Sequence, residues 1–600
     1  MNRSTLMTYA AAIRDFLRAR RPIVMLMGIV LALTLVPILD TYLIVGDAWR
    51  GILPTFTDET IYLAHVQTVG EGYLSDGNPY FLEHRNDPPL VIFGGAWLNA
   101  VPLLAGMPLN VALMLNFILW SLLFAVSLYW LLREFRIPSW LAVFTTVLVY
   151  LQSYAHVWRP ANLQPVYPFY FLFYIALARL IREQSRRNIT LLALATGALF
   201  YLFAYLWQIA IITLGLLLLY ALVRKDWPLA KATFISSLIG GLIGLPVPLY
   251  MLWISHASPY FWESISRFGL VSTHLPMAEI IYSGGWIGLL LVFLAVLYWR
   301  SRPLRGDEEF ILLGSFIAIG GLGLWVMQGS NLITGKLLET GEHVRILMLP
   351  WLAFSTVIVG MYVWRHRVQL SGPLRLLSAG MFAALLAVNL YYTYYYFAPF
   401  FKVEANREFW QTEQSYAAPF AWLQHGEKAP VVVWSDPSNY ATPSLPVFTR
   451  HFTLFTEFSM WQLVSNSEFR ERYLVSQYFN DPTVEDLKRE LPRYMGRQDA
   501  FHNAKTIERG IKICRIFFFW DADKDCGTPP TSIGLLGEEF FTNMERRFRT
   551  DIKPNIKTYL EKYHVSYILK DVARDAQYHP EALGAVRVYA DGHFEIYRLP

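Results

Sequence analysis

The chain has 600 residues, 54% of them hydrophobic and only 16% charged, with a mean hydropathy of +0.33. Its apolar residues come in blocks of bilayer-crossing length, which excludes a large soluble enzyme and points to a polytopic membrane protein. The net charge is +5, and most Lys and Arg lie in short clusters between apolar blocks, so the excess reads as membrane topology and no nucleic-acid partner is expected.

The first apolar run, about 22–45, follows Arg14, Arg18, Arg20 and Arg21. It exceeds a signal-peptide core and has no convincing small-x-small cleavage site, so it reads as a retained anchor. Basic clusters then recur at Arg133 with Arg136, at 179–187, at Arg224 with Lys225, at 300–305 and at 365–367. They alternate with less basic loops at 47–107, 157–165, 255–278 and 329–345. Spans of ~20 apolar residues give about eleven transmembrane helices, a cytoplasmic N-terminus and an external C-terminus. In that count the segment PPLVIFGGAWLNAVPLLAG, 88–106, lies in the interface, because Gly94, Gly95 and Pro102 interrupt it. The run 191–223 is too long for one crossing and is expected to hold two short ones, turning near 205–208. YYTYYYFAPFF, 391–401, has the composition of an interfacial belt closing the last span.

From 402 onward the composition is that of a soluble domain. The chain therefore divides into a membrane module, 1–401, with a large first external loop at 47–107, and an extracytoplasmic α/β domain, 402–600. Segments 431–435, 451–458, 565–570 and 585–599 have the β-branched and aromatic content of strands, the last with an Asp-Gly hairpin turn. Segments 483–495 and 538–563 read as helices. Cys514 and Cys526 are close in sequence and could pair in an oxidising compartment.

The first external loop contains FTDETIYLAHVQTVGEGYL, 56–74, with the adjacent acids Asp58 and Glu59. Tyr62, Val66, Val69 and Tyr73 follow at helical spacing, which predicts an amphipathic helix on the membrane with both acids at its N-terminus. The plainer reading is that Thr57 or Asp58 is a helix cap.

The Asp58-Glu59-x-x-Tyr62 pattern, Gly-Asn-Pro-Tyr at 77–80 and Asp-Pro-Pro-Leu at 87–90, in a first external loop before an interfacial segment, resemble the GT-C superfamily of membrane glycosyltransferases. The resemblance is to the aminoarabinose and protein-mannosyl transferase branches and extends over residues 1 to about 400. It implies a polytopic α-helical membrane protein with a GT-C-like fold and an inverting transfer of a hexosyl or pentosyl group. The donor would be a polyprenyl-phosphate-linked sugar, the acceptor a glycan, lipid or protein on the external face. It also implies that Asp58 is the catalytic base and that Glu59 supports or shares that role. The chemistry gives its own reason for an acid there. A sugar on a lipid phosphate already has a good leaving group, so transfer needs a base for the acceptor and cations for the departing phosphate.

Those cations should be long basic side chains at the external membrane face. The candidates are Arg85 beside His84, His156 with Arg159, and Lys336, His343 and Arg345. Arg345 is preferred, because it begins a helix whose preceding loop supplies the other two, a position similar to a late basic residue of several GT-C enzymes. Each could equally be a snorkelling charge or a partner for Glu83, Asp87, Glu339 or Glu342.

Two departures from the family pattern stand out. The loop VWRPANLQP, 157–165, lacks the acid that many members carry, and no Trp-Trp-Asp motif follows, which disfavours an oligosaccharyltransferase. No cofactor is specified, and a divalent metal is left open. DADKDCG, 521–527, has calcium-loop spacing at three aspartates, but Cys526 and Ser532 stand where Gly and Glu are needed. No phosphate-binding glycine loop or nucleophile elbow occurs in a suitable context. A transporter or flippase of lipid-linked sugars would favour mid-membrane charges or inverted repeats; the spans have almost no charges at their centres and no repeat is found. A non-catalytic polyprenyl-lipid binder of the same fold remains open. The anchor and the lack of organelle sorting signals suit a bacterial cytoplasmic membrane.

Overall fold

The computed structural model describes residues 20–50, 59–73, 77–92, 94–159, 163–276, 284–338, 342–397, 407–496, 499–521 and 523–600. Its membrane module contains α1 (Arg21–Val45), α2 (Glu59–Gly70), α3 (Gly94–Leu104), α4 (Leu109–Glu134), α5 (Ser139–Gln152) and α6 (Val166–Arg182). Then come α7 (Arg186–Leu202), α8 (Ala204–Val223), α9 (Trp227–Gly244), α10 (Pro246–Ala257), α11 (Phe261–Phe268) and α12 (Gly284–Arg300). The module closes with α13 (Glu308–Gln328), α14 (Glu342–Arg365) and α15 (Gly372–Phe397). A short antiparallel pair, β1 (Leu270–Ser272) with β2 (Lys336–Leu338), joins the loop after α11 to the loop before α14.

Among the described residues, 6 helices are long and apolar enough to cross a bilayer, α1, α4, α8, α13, α14 and α15, or up to 7 if the bent pair α9–α10 is one span. The chain is an integral membrane protein. Its other apolar helices, such as α5 and α12, are shorter than the ~20 residues a straight crossing needs, so this criterion does not reach eleven. The long run at 191–223 breaks at Phe203, whose extended backbone separates α7 from α8, two residues before the expected turn. α3 has 11 residues and is too short to cross.

The basic clusters share one end of the bundle. Arg179 and Arg182 at the end of α6 bind Glu134 at the end of α4, and Arg365 at the end of α14 bonds Glu309 and the Arg136 carbonyl. Inside, α6 presents Tyr167, Tyr170 and Tyr174 to the core, and Tyr170 donates to the Leu347 carbonyl at 3.0 Å. Helices α7 and α9 approach closely, since a Cβ on Gly240 would meet the Ala193 carbonyl at 2.9 Å.

The C-terminal domain begins with α16 (Arg407–Ser415) and α17 (Ala417–Gly426). A mixed five-stranded sheet follows, built from β3 (Val432–Trp434), β4 (Phe452–Thr453), β5 (Val565–Asp571), β6 (Val586–Ala590) and β7 (Phe594–Arg598). Its order is β4-β3-β5-β7-β6, parallel across β4-β3-β5 and antiparallel across β5-β7-β6. Around it lie α18 (Ala441–Phe448), α19 (Asn466–Ser476), α20 (Asp499–Phe517) and α21 (Glu538–Arg547). The segments expected as strands supply β3 to β7. Central β5 is nearly all buried, in keeping with its apolar run, while edge strand β6 is largely exposed. Cys514 and Cys526 are joined in a disulfide.

This domain is fastened to the segment between α2 and α3. The Thr453 amide donates to the Tyr80 carbonyl at 3.0 Å, and fully buried Arg472 binds Glu83 at 2.7 Å and Glu468 at 2.8 Å between the rings of Phe81 and Tyr563. His84 bridges Asp87 at 2.7 Å and Glu468 at 3.0 Å. Burial opposes its charge, but hydrogen bonds to both carboxylates and their fields outweigh it and push the imidazole up to about 9.

Candidate functional site

Helix α2 differs from the amphipathic interfacial helix its spacing suggests. Besides Val66 and Val69, it also buries Thr60, Ile61, Ala64 and His65, because α3 covers one side and α18 and the 457–461 turn of the C-terminal domain cover another. Glu59 opens its first turn, fully buried, and accepts from Arg159 Nε at 2.9 Å. The Arg159 guanidinium lies 6.0 Å from the Tyr62 ring, and Tyr62 packs edge-on against Trp461 at 5.3 Å. Asp58 lies outside the described residues.

One turn along α2, Tyr62 and His65 face a cavity of about 460 Å³. Its walls are chiefly apolar and aromatic, with Phe203 and Trp207 from the α7–α8 break, Met251 from α10, Phe268 from α11 and Trp461 from the C-terminal domain. Two basic side chains reach it from the β2–α14 region, Lys336 and His343. Lys336 Nζ donates to Ser272 Oγ at 2.7 Å, and the His343 ring stacks on Tyr205 at 5.4 Å.

His156, between α5 and α6, lies against Tyr396, and its Nδ1 is buried with no hydrogen-bond partner among the described residues. Burial, then the fields of His343 and Arg345, hold this imidazole neutral, down to about 3. Arg345, in the first turn of α14, has its Nε buried without a hydrogen-bond partner, and no carboxylate among the described residues pairs with it or with His156. A buried arginine donor in the first turn of α14, with His343 and His156 near it, is chemistry that suits an anion.

The candidates therefore fall into three places. Tyr62, Lys336 and His343 line the cavity, and the fields of His343 and Arg345 reach His156 behind it. Glu59 and Arg159 form a pair next to Tyr62. Arg85 is elsewhere, 4.0 Å over the Tyr73 ring and 3.6 Å from Glu71, between the first loop and β4. Sequence reasoning passed over His65, Phe203, Tyr205 and Trp461. His65 stands three residues after Tyr62 on one helical face, a signal open to inspection. Trp461 is some 400 positions from Tyr62, and no local pattern brings the two together. Among the described residues no group of three or more His, Cys, Asp or Glu is placed to hold a metal ion.

No family model matches the chain, and no curated protein matches it. Among solved structures it is similar to the crystal structure of ArnT from Cupriavidus metallidurans bound to undecaprenyl phosphate, at 13% identity and a TM-score of 0.36. That similarity covers 94% of this chain and 98% of that one.

Proposed function

We propose that the chain is an inverting membrane glycosyltransferase of the GT-C type, taking a sugar from a polyprenyl phosphate and adding it to a glycan, lipid or protein acceptor. The observation that carries this reading is the apolar cavity rimmed by Lys336 and His343, with Arg345 behind it and the Arg345 Nε buried without a hydrogen-bond partner among the described residues. An isoprenoid chain suits aromatic and aliphatic walls, and a phosphate suits the Lys336 ammonium and the Arg345 guanidinium. The gathering of basic loops at the opposite ends of α4, α6 and α14 supports placing the cavity and the C-terminal domain on the extracytoplasmic side, and the Cys514–Cys526 bond fits an oxidising compartment. A bacterial cytoplasmic membrane is the matching location.

In this reading Asp58 takes the proton from the acceptor hydroxyl. The acceptor oxygen attacks the anomeric carbon opposite the phosphate, the glycosyl C–O bond breaks, and the electron pair leaves on the lipid phosphate. Arg345, with Lys336 and His343, stabilises the charge that develops there. Glu59, engaged by Arg159, fixes the start of α2 and is the residue next to Asp58 in sequence. Asp58→Asn should abolish sugar transfer in a purified assay while retaining lipid-phosphate binding. Full transfer by that variant would sink the assignment.

A further inference from the structure

The last turn of α20 and the residues after it expose Ile516, Phe517, Phe518, Phe519 and Trp520, with exposures from 41% at Phe518 to 80% at Phe519. Five consecutive large apolar side chains project in all directions from a helix end, whereas a protein groove covers a single stripe. The Cys514–Cys526 bond draws the two feet of this loop together, 5.8 Å apart at Cα, so the apolar residues form its tip. Lys512 and Arg515 precede the tip, and Lys524 lies 5.2 Å over the Phe518 ring, while Asp521, Asp523 and Asp525 mark the polar return.

The middle of the same helix rests on the membrane module. Arg509 donates to the Pro276 carbonyl at 3.3 Å, and Gly510 lies against Leu275, just after β1. β1 pairs with β2, which lies between the end of α13 and the start of α14, two bilayer-crossing helices. The middle of the helix thus lies beside the ends of two spans, and Phe517 lies seven residues, or ~10 Å, farther along it. Aromatic residues flanked by Lys and Arg are the composition that partitions into a lipid interface.

We infer that the disulfide-closed tip at 516–520 inserts into the outer surface of the bilayer that holds the spans, anchoring the C-terminal domain to lipid. This anchor is independent of the glycosyl-transfer reading. The test uses the full chain in nanodiscs of phosphatidylethanolamine and phosphatidylglycerol, with a nitroxide on Phe519→Cys; the two native cysteines are bonded to each other and do not take the label. Val586→Cys, on exposed edge strand β6, is the control. Power saturation should show the label at 519 relaxed several-fold more by oxygen than by a water-soluble nickel chelate, and the label at 586 the reverse. Equal nickel access at 519 and 586, or a label at 519 closed to both reagents and so covered by protein, would overturn the anchor.

Discussion

Glu59 has no exposed side-chain surface, and the Arg159 that binds it is only 18% exposed, so their ion pair lies where water screens it little. Removing one partner strands the other charge, at a cost on the order of 3 kcal/mol, whereas replacing both with apolar groups of similar size is close to neutral. Glu59→Leu and Arg159→Met should therefore each lower the thermal midpoint in detergent, and the double variant should recover most of the loss. Single variants that melt like the parent would show that the pair contributes nothing to stability. The types of residue at this site were legible in sequence, but their pairing was not, since Glu59 and Arg159 are 100 positions apart. Arg85 looked equivalent to Arg159 as a basic residue of an external loop, yet Glu71, Tyr73 and Phe452 claim it, because the first loop folds back under the C-terminal domain.

At the carboxyl ends of the parallel strands β3 and β5, Asp436, Asp571 and Asp575 are all buried. Asp575 Oδ2 accepts from Asn439 Nδ2 at 2.7 Å and from the Asp571 amide at 2.9 Å. Burial and the charges of Asp436 and Asp571 nonetheless push its carboxyl up to about 7. A carboxyl raised on folding favours the native state when protonated. Its contribution is complete below about pH 4 and is lost as pH rises through about 7, an effect on the order of 4 kcal/mol. Asp575→Asn keeps an oxygen for both donors and removes the titration. It should match the parent's melting temperature near pH 4, exceed it at pH 8, and flatten the profile between, as read by thermal melts of the full chain. The strands that frame this cluster could be read directly, since runs such as VSYIL need two buried faces and β5 has them. Helix α2 could be read only by half. A period of 3.6 identifies the face turned to one neighbour, and α2 is enclosed by α3 and by the C-terminal domain together.

The two modules are joined through Arg267, whose side chain is fully buried. From α11 it donates to the carbonyls of Met460, Gln462 and Val464 and to Asn466 Oδ1, at 2.6–3.3 Å, while Glu263 accepts from the Asn466 amide. These bonds hold the segment that carries Trp461, which packs on Phe268 at 4.5 Å and on Tyr62 and so closes one wall of the cavity. The cavity thus belongs to neither module alone. Length and apolarity mark the long spans in the sequence, but this wall depends on side chains from both modules. Arg267→Ala would leave three buried carbonyls short of a donor, each costing about 1–3 kcal/mol. Lysine is a poor substitute, because one ammonium cannot span acceptors that a planar fork reaches from several nitrogens. Both variants should raise amide exchange across 457–466 by at least tenfold, while β5, held by its own ladder, stays protected. Unchanged exchange at 457–466 in Arg267→Ala would mean that the two modules are held together by other contacts.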